Sequence, residues 1–426
     1  MHQAEIDLTE YDRALLSGNE GDAARLAMQV LLRMADLAGA ERFIDITCAH
    51  IDSCLYHGQA GLDFATRLAA GSARVRVPAT LNVSSLDLLH PHLFRGDGET
   101  AAAARRLMDM YVAMGCTPTW TCAPYQLQQR PAFGEHIAWA ESNAIVFANS
   151  VLGARTDRYG DFIDICAALT GRVPDAGLHR TENRRGRIVF SLNGLPQRLR
   201  ESDVLLPVLG HLVGSNAGRL IPVLDGLSPD FCDEDRLKAF GAAAASSGAV
   251  AMFHVVGVTP EAPSLADALQ GLPADRTIVV TAEMLQSAHD ELTTGAGSLA
   301  AVSLGTPHFS LTEFERLLPL IETARIAKGL DFYISTGRDV LAEVRARGWL
   351  GTIERAGIII VTDTCTYITP ILRNRHGTVM TNSAKWAYYA PGNLGVDVAF
   401  GSLAECIRSA ELGRVWRDES LWANAN

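Results

Sequence analysis

The eight cysteines of this 426-residue sequence include no Cys-x-x-Cys pair. Neither a zinc ribbon nor a thioredoxin-type redox site is therefore readable. Basic blocks are also missing. The chain carries 37 Lys and Arg against 48 Asp and Glu, a net charge of −11. Nucleic-acid binding asks for a basic face, so that class is set aside. The densest basic run, Arg180 with Arg184, Arg185 and Arg187, is read as a solvated loop. No apolar run is long enough to span a bilayer. The nearest, 242–258, is interrupted by Ser246, Ser247, Gly248 and His254. The first residues carry acids where a secretory signal needs positive charge. Together these absences predict a cytoplasmic protein, with cysteines reduced, buried or metal-bound rather than paired. The glycines at 214–218 and 295–297 form no dinucleotide fingerprint.

Hydrophobic residues make up 48% of the chain, enough for large cores. At roughly 100–200 residues per domain the length predicts two to three domains. From about 188 onward, short apolar runs alternate with amphipathic stretches. Strands are predicted at 187–192, 219–224, 250–256, 277–280, 299–304, 331–335 and 357–361. Helices are predicted at 201–213, 233–246, 264–270, 282–293, 311–327, 337–347 and 402–411. This alternation predicts an α/β fold with parallel or mixed sheets flanked by helices. Upstream the pattern predicts a helix over 8–38 capped by Thr9 and a strand at 43–46. A loop at 47–58, a helix at 61–70, a strand at 74–77 and helices at 98–114 and 161–170 follow. The predicted regions are an N-terminal α/β part, 1–187, then 188–298 and 299–426. Ligands of open α/β sheets sit at the carboxyl ends of strands. Thr80–Asn82, Gly305–His308 and Thr362–Cys365 all fall at such ends.

The segment 357–395 concentrates the chemistry. A buried strand, Ile358 to Val361, breaks into a polar turn holding Cys365, and later come Thr381, Asn382, Ser383 and Lys385. A thiolate at a strand mouth, near hydroxyl, amide and ammonium groups, suits a soft metal beside an anionic substrate. A helix start at Ser383 and the ammonium of Lys385 both favour an anion; Ser383 equally suits a plain N-cap. Asn82, Asn149 and Ser150 follow apolar runs and are read as substrate contacts or as local caps. His50, His57 and His308 have the chemistry of proton carriers, or of partners that orient a ligand. Asp52 suits a substrate ammonium or an exposed loop. Cys116, Cys166, Cys232 and Cys406 are assigned to the core, the commonest fate of a cysteine.

Six separated motifs carry a family resemblance: AHIDSCLYHG (49–58), TPTWTCAPY (117–125), FANSVLGARTDRYGDFIDICAALTGRVP (147–174), LGTPHFSLTEF (304–314), VTDTCTYI (361–368) and TNSAKWAYYAPG (381–392). In this order they resemble the aconitase superfamily, in its aconitase X branch. The resemblance implies a multi-domain aconitase-like catalytic core without the swivel domain, which a separate small subunit would supply. It implies an iron–sulfur cluster, [2Fe–2S] favoured, on Cys122 and Cys365, with Cys54 taken over Cys48 as third ligand. It implies catalytic roles for Ser383, Lys385 and His308. Substrate contacts are implied for Ser53, Asn82, Asn149, Ser150 and Thr306, again with Ser383 and Lys385. The implied activity is a hydro-lyase removing water from cis-3-hydroxy-L-proline to give Δ1-pyrroline-2-carboxylate. The alternatives are dehydration of mevalonate 5-phosphate and a non-catalytic binding protein. Thr306 departs from the archaeal-type motif, which carries a cysteine there, and Phe309 stands where a second cysteine is common. Both changes favour the hydroxyproline branch.

Overall fold

The computed structural model describes residues 6–422. The chain forms two compact units, Met1–Leu86 with Asp97–Arg185, and Asp87–Gly96 with Gly186–Asn426.

In the first unit the long helix expected over 8–38 is two helices, Glu10–Ser17 and Asp22–Ala38. Gly18 and Gly21 adopt φ of +87° and +98° between them, a conformation that ends a helix and that side chains resist. Thr9 closes a reciprocal capping box with Asp12. Ala24, Ala27, Met28, Leu31 and Ala35 recur at helical spacing and are buried, and their helix packs on Ile163–Thr170. A three-stranded parallel sheet runs Ala79–Leu81, Ala49–Ile51, Ala138–Trp139. Its central strand lies inside the stretch expected to be loop. The strand expected at 74–77 forms instead at 79–81. Phe43–Asp45 and Arg172–Pro174 form a separate antiparallel pair. The expected solvated loop around Arg184 is also corrected. Arg184 is fully buried and donates to Asn149 Oδ1 (3.0 Å) and to the carbonyls of Leu178, Asn149 and Ala154. A guanidinium has five donors, and here it braces three backbone segments at once.

The second unit holds two all-parallel sheets, as the alternation required. One runs His254–Val255, Pro222–Asp225, Ile188–Ser191, Arg276–Val279. The other runs Ile358–Val361, Asp331–Thr336, Leu299–Phe309, Thr378–Thr381, Asp397–Phe400. The strand Leu299–Phe309 is buried along its whole length, which explains its nearly continuous apolar sequence. From it the chain builds outward to 331–336 and 358–361, then returns to lay 378–381 on the other side. The order therefore reverses between 299–309 and 378–381. The predicted helix at 311–327 ends at Ile321, and that at 201–213 is split into Gln197–Glu201 and Leu205–Ala217. Phe309, Phe314, Leu317, Phe332, Ile334 and Leu341 share one core with the outer helices. Gly305 has φ +84°, and a Cβ there would meet the Ser335 carbonyl oxygen at 2.1 Å. Only glycine lets the strand pass its neighbour at that point. Among the described residues no helix is long and apolar enough to cross a membrane.

Candidate metal centre and substrate crevice

The reversal of strand order in the second unit is the position where open parallel sheets leave a crevice. A cavity of about 190 Å³ lies there. Its walls include Gly305, Thr306 and Pro307 from the end of the 299–309 strand and Asn382, Ser383 and Ala384 after the 378–381 strand. The helix Ala384–Leu394 starts at this wall, as expected. Ser383 is its N-cap: its Oγ accepts from Trp386 N (3.1 Å) and donates to the Thr306 carbonyl. That hydroxyl thus links the two sides of the crevice. Lys385, in the first turn of this helix, is buried. The Thr306 hydroxyl is buried and makes no hydrogen bond. An unsatisfied buried hydroxyl costs about 1–3 kcal/mol.

His308 and Cys365 come together inside this unit. A ring nitrogen of His308 and the Cys365 sulfur lie within 4.8 Å of each other, and both residues are buried. His308 Nε2 is 3.2 Å from the Thr364 carbonyl. A carbonyl only accepts, so Nε2 carries a proton. The loop carrying Cys365 is tethered residue by residue. Thr362 donates through N and Oγ1 to Asp87 (2.8 and 2.9 Å). Asp363, at φ +62°, receives a bidentate bond from Arg338 (2.6 and 2.7 Å). Thr366 Oγ1 meets Ser303 Oγ (2.6 Å) and accepts from Trp386 Nε1 (2.9 Å). Burial alone would raise Asp87, but hydrogen bonds from His90 and Thr362 hold its carboxyl below the usual range. The Asp87 hydrogen bond in turn raises His90. A buried imidazole–thiol pair fits a soft or borderline metal such as iron.

In the first unit, Cys122 is buried in the 117–125 loop, where its carbonyl accepts from Asn143 Nδ2 (2.8 Å). Cys54 is placed differently from expectation. Its Sγ faces the carbonyls of Ile51 (3.2 Å), Asn82 (3.4 Å) and Val83 (3.8 Å), and burial pushes its thiol far up. A thiol donating to carbonyls is suited there; a metal-bound thiolate is not. Cys48, the other choice, is half-buried and pushed up to about 11 by burial. Asn149 is also reassigned: Oδ1 accepts from Arg184 and from Thr156 N (3.1 Å), and Nδ2 donates to Thr156 O (2.9 Å). Ser150 is buried in the wide turn Ala148–Leu152. Ser53 donates to Asp164 Oδ1 (2.6 Å), and Asp164 Oδ2 also takes the backbone N–H groups of Asp52 (2.7 Å) and Ser53 (2.9 Å). Asn82 donates to Asp52 and also lies against the His50 ring. Burial, reinforced by Glu141, lifts Asp52 to about 7. His50 is buried, pushed down to about 4 by burial, and bonded to Thr80 Oγ1 (2.8 Å).

The sequence reading missed Asp87, Asp164, Lys238, Asp235, Glu313 and Arg338. Of these, Glu313 had a visible signal, the Ser310-x-x-Glu313 capping-box spacing, which the structure realises.

Models of the aconitase X first, second and third domains match residues 5–182, 186–290 and 299–411. A cis-3-hydroxy-L-proline dehydratase of Pseudomonas aeruginosa is 48% identical over 96% of this chain and 70% of its own length. One from Hypocrea jecorina is 42% identical over 95% and 68%. A phosphomevalonate dehydratase large subunit of Methanothermobacter thermautotrophicus is 35% identical over 95% and 98%. The crystal structure of Thermococcus kodakaraensis aconitase X in its holo-form superposes with a TM-score of 0.85 at 31% identity, covering 95% of this chain and all of the other. With all three domain models matched in order and such relatives spanning nearly its whole length, the chain belongs to the aconitase X family.

Proposed function

We propose that this chain is the catalytic large subunit of a hydro-lyase that dehydrates cis-3-hydroxy-L-proline. The 48% identity to a dehydratase of that substrate, across 96% of the chain, carries the reading. The crevice supports it. Asp203, Asp235 and Glu313 on its walls are matched in number by Arg236, Lys238 and Arg316. A charge-balanced cavity suits a zwitterionic imino acid; a phosphate dianion would ask for an excess of cations. Thr306, in place of a cysteine, offers a hydroxyl rather than a further metal ligand.

The reaction removes the proton from the carbon bearing the carboxylate and expels the 3-hydroxyl. The resulting enamine tautomerises to Δ1-pyrroline-2-carboxylate. Lys385 and the N-terminus of the 384–394 helix would bind the carboxylate and stabilise charge developing beside it. Thr306 Oγ1, without a hydrogen bond, is assigned to a substrate polar group, and Asn82 is kept as a proposed substrate contact. Cys365 and Cys122 are proposed as cluster ligands. His308 is assigned to the same metal rather than to proton transfer, because one of its ring nitrogens lies within 4.8 Å of the Cys365 sulfur and both residues are buried. A cluster of the [2Fe–2S] kind, when bound, supplies a Lewis acid for the departing hydroxyl. The small subunit implied by the "large subunit" naming of the archaeal relatives is proposed as a partner.

The test is an anaerobic assay of the iron-loaded chain with a co-expressed small partner, offering cis-3-hydroxy-L-proline and mevalonate 5-phosphate separately. Turnover of the imino acid alone is expected. Turnover of the phosphate ester alone would overturn the assignment.

A further inference from the structure

Lys238 is the most deeply enclosed ammonium whose role the reaction scheme leaves unexplained. It lies on the helix Glu234–Ser247 and is 3% exposed. Its Nζ donates to Asp235 Oδ1 (3.0 Å), to the His308 carbonyl (3.4 Å) and to Glu313 Oε2. An ammonium has three N–H groups, and these three acceptors take all of them. The acids are themselves fixed. Asp235 Oδ2 accepts from Ser310 Oγ (2.8 Å), and Glu313 Oε2 accepts from Ser310 N (2.8 Å). Glu313 sits in the first turn of the helix Leu311–Ile321, where the backbone N–H groups favour negative charge. Every bond of the network ends on the stretch 308–313, or on the residues that hold it. His308 is the first residue of that stretch. Its ring is aimed at the Thr364 carbonyl beside Cys365, while its main chain is held from the opposite side by Lys238.

We propose that Lys238, clamped by Asp235 and Glu313, is a positioning residue that sets the His308 ring for metal binding with Cys365. The inference rests on the metal-centre reading above. A strand end carrying a buried ring on one side needs such an anchor, because ligand placement within about 0.5 Å decides whether a site works.

Two variants test this in the full chain with its partner. Lys238→Met alone leaves two buried carboxylates unmatched and can fail to fold. The triple variant Lys238→Met/Asp235→Asn/Glu313→Gln removes the charge on all three groups together. In the triple variant we expect a retained fold by circular dichroism, an altered visible spectrum after anaerobic iron loading, and kcat lower by about a hundredfold. Ring ¹⁵N shifts of His308 in the iron-free proteins supply the separate readout. They should report protonation at Nε2 in the wild type and lose that signature in the triple variant. Unchanged ring shifts, or a folded triple variant with wild-type spectrum and kcat, would overturn the proposal. Failure of both variants to fold would make the network a folding determinant and would also overturn it. A wild type that takes up no iron, but shows the expected ring shifts, would sink the metal reading and leave the positioning of the ring standing.

Discussion

At the scale of single residues, the two classes of cysteine separate by what surrounds the sulfur. Cys365 lies beside an imidazole on a loop tethered at Thr362, Asp363, Thr364 and Thr366. Cys54 faces only carbonyls. Cys365→Ala should lose the iron and nearly all activity while keeping the fold, as read by iron analysis, turnover and circular dichroism. Cys54→Ala should retain iron; its loss is one weak donor and a sulfur's packing, about 1–2 kcal/mol in chemical unfolding. Iron loss in Cys54→Ala would restore that residue to the ligand set. The motif around each cysteine was legible in the sequence. The difference between the two was not, because a thiol's acceptors come from residues 28 or 29 positions away, such as Asn82 and Val83.

At the scale of elements, the excursion Asp87–Gly96 belongs with the second unit although the chain on both sides of it belongs to the first. Asp87 and His90 on this excursion hold the start of the cysteine loop, and their titration gives the contact a pH signature. His90 is raised by Asp87, so its contribution is complete below about pH 6.5 and is lost as pH rises through its folded value. Asp87 is lowered, so its contribution is present above about pH 4 and vanishes only in stronger acid. His90→Gln should therefore destabilise the protein near pH 5.5 and make little difference above pH 8, measured as melting temperature against pH. An equal loss at both values would mean that the ring acts by packing alone. Sequence patterns could not show this. Residues 87–96 carry no period, and their partners lie some 275 residues away. Gly305 is a second element-scale case. Gly305→Ala combines a positive φ with a backbone overlap, so it should cost several kcal/mol, about 3 or more, or prevent folding. Wild-type unfolding by denaturant would refute that reading.

At the scale of the whole molecule, the alternation from 188 onward was legible because buried parallel strands and amphipathic helices each leave a period. The first unit was less so. Its strands Ala49–Ile51, Ala79–Leu81 and Ala138–Trp139 are two or three residues long, too short to show alternation. The position of the crevice was partly legible, since strand ends could be placed. The reversal of strand order that makes it needed the pairing of 378–381 with 299–309, and the strand at 378–381 was not foreseen. A bound iron centre should also act on the molecule as a whole. A ligand that binds only the folded state stabilises it by mass action, so chelation of iron should lower the melting temperature, and reloading under anaerobic conditions should restore it. No shift on removing and restoring iron would argue against a buried site.

Gly305 and Thr306 are neighbours with opposite freedoms. The backbone at 305 admits one residue only, because the next strand's carbonyl already fills the space. The side chain at 306 opens on the crevice and holds nothing else in place. In evolutionary terms, such a pairing separates what can vary from what cannot. Under the proposed function, an exchange at 306 would alter what the crevice receives, while the bend that presents it stays fixed by the neighbouring strand.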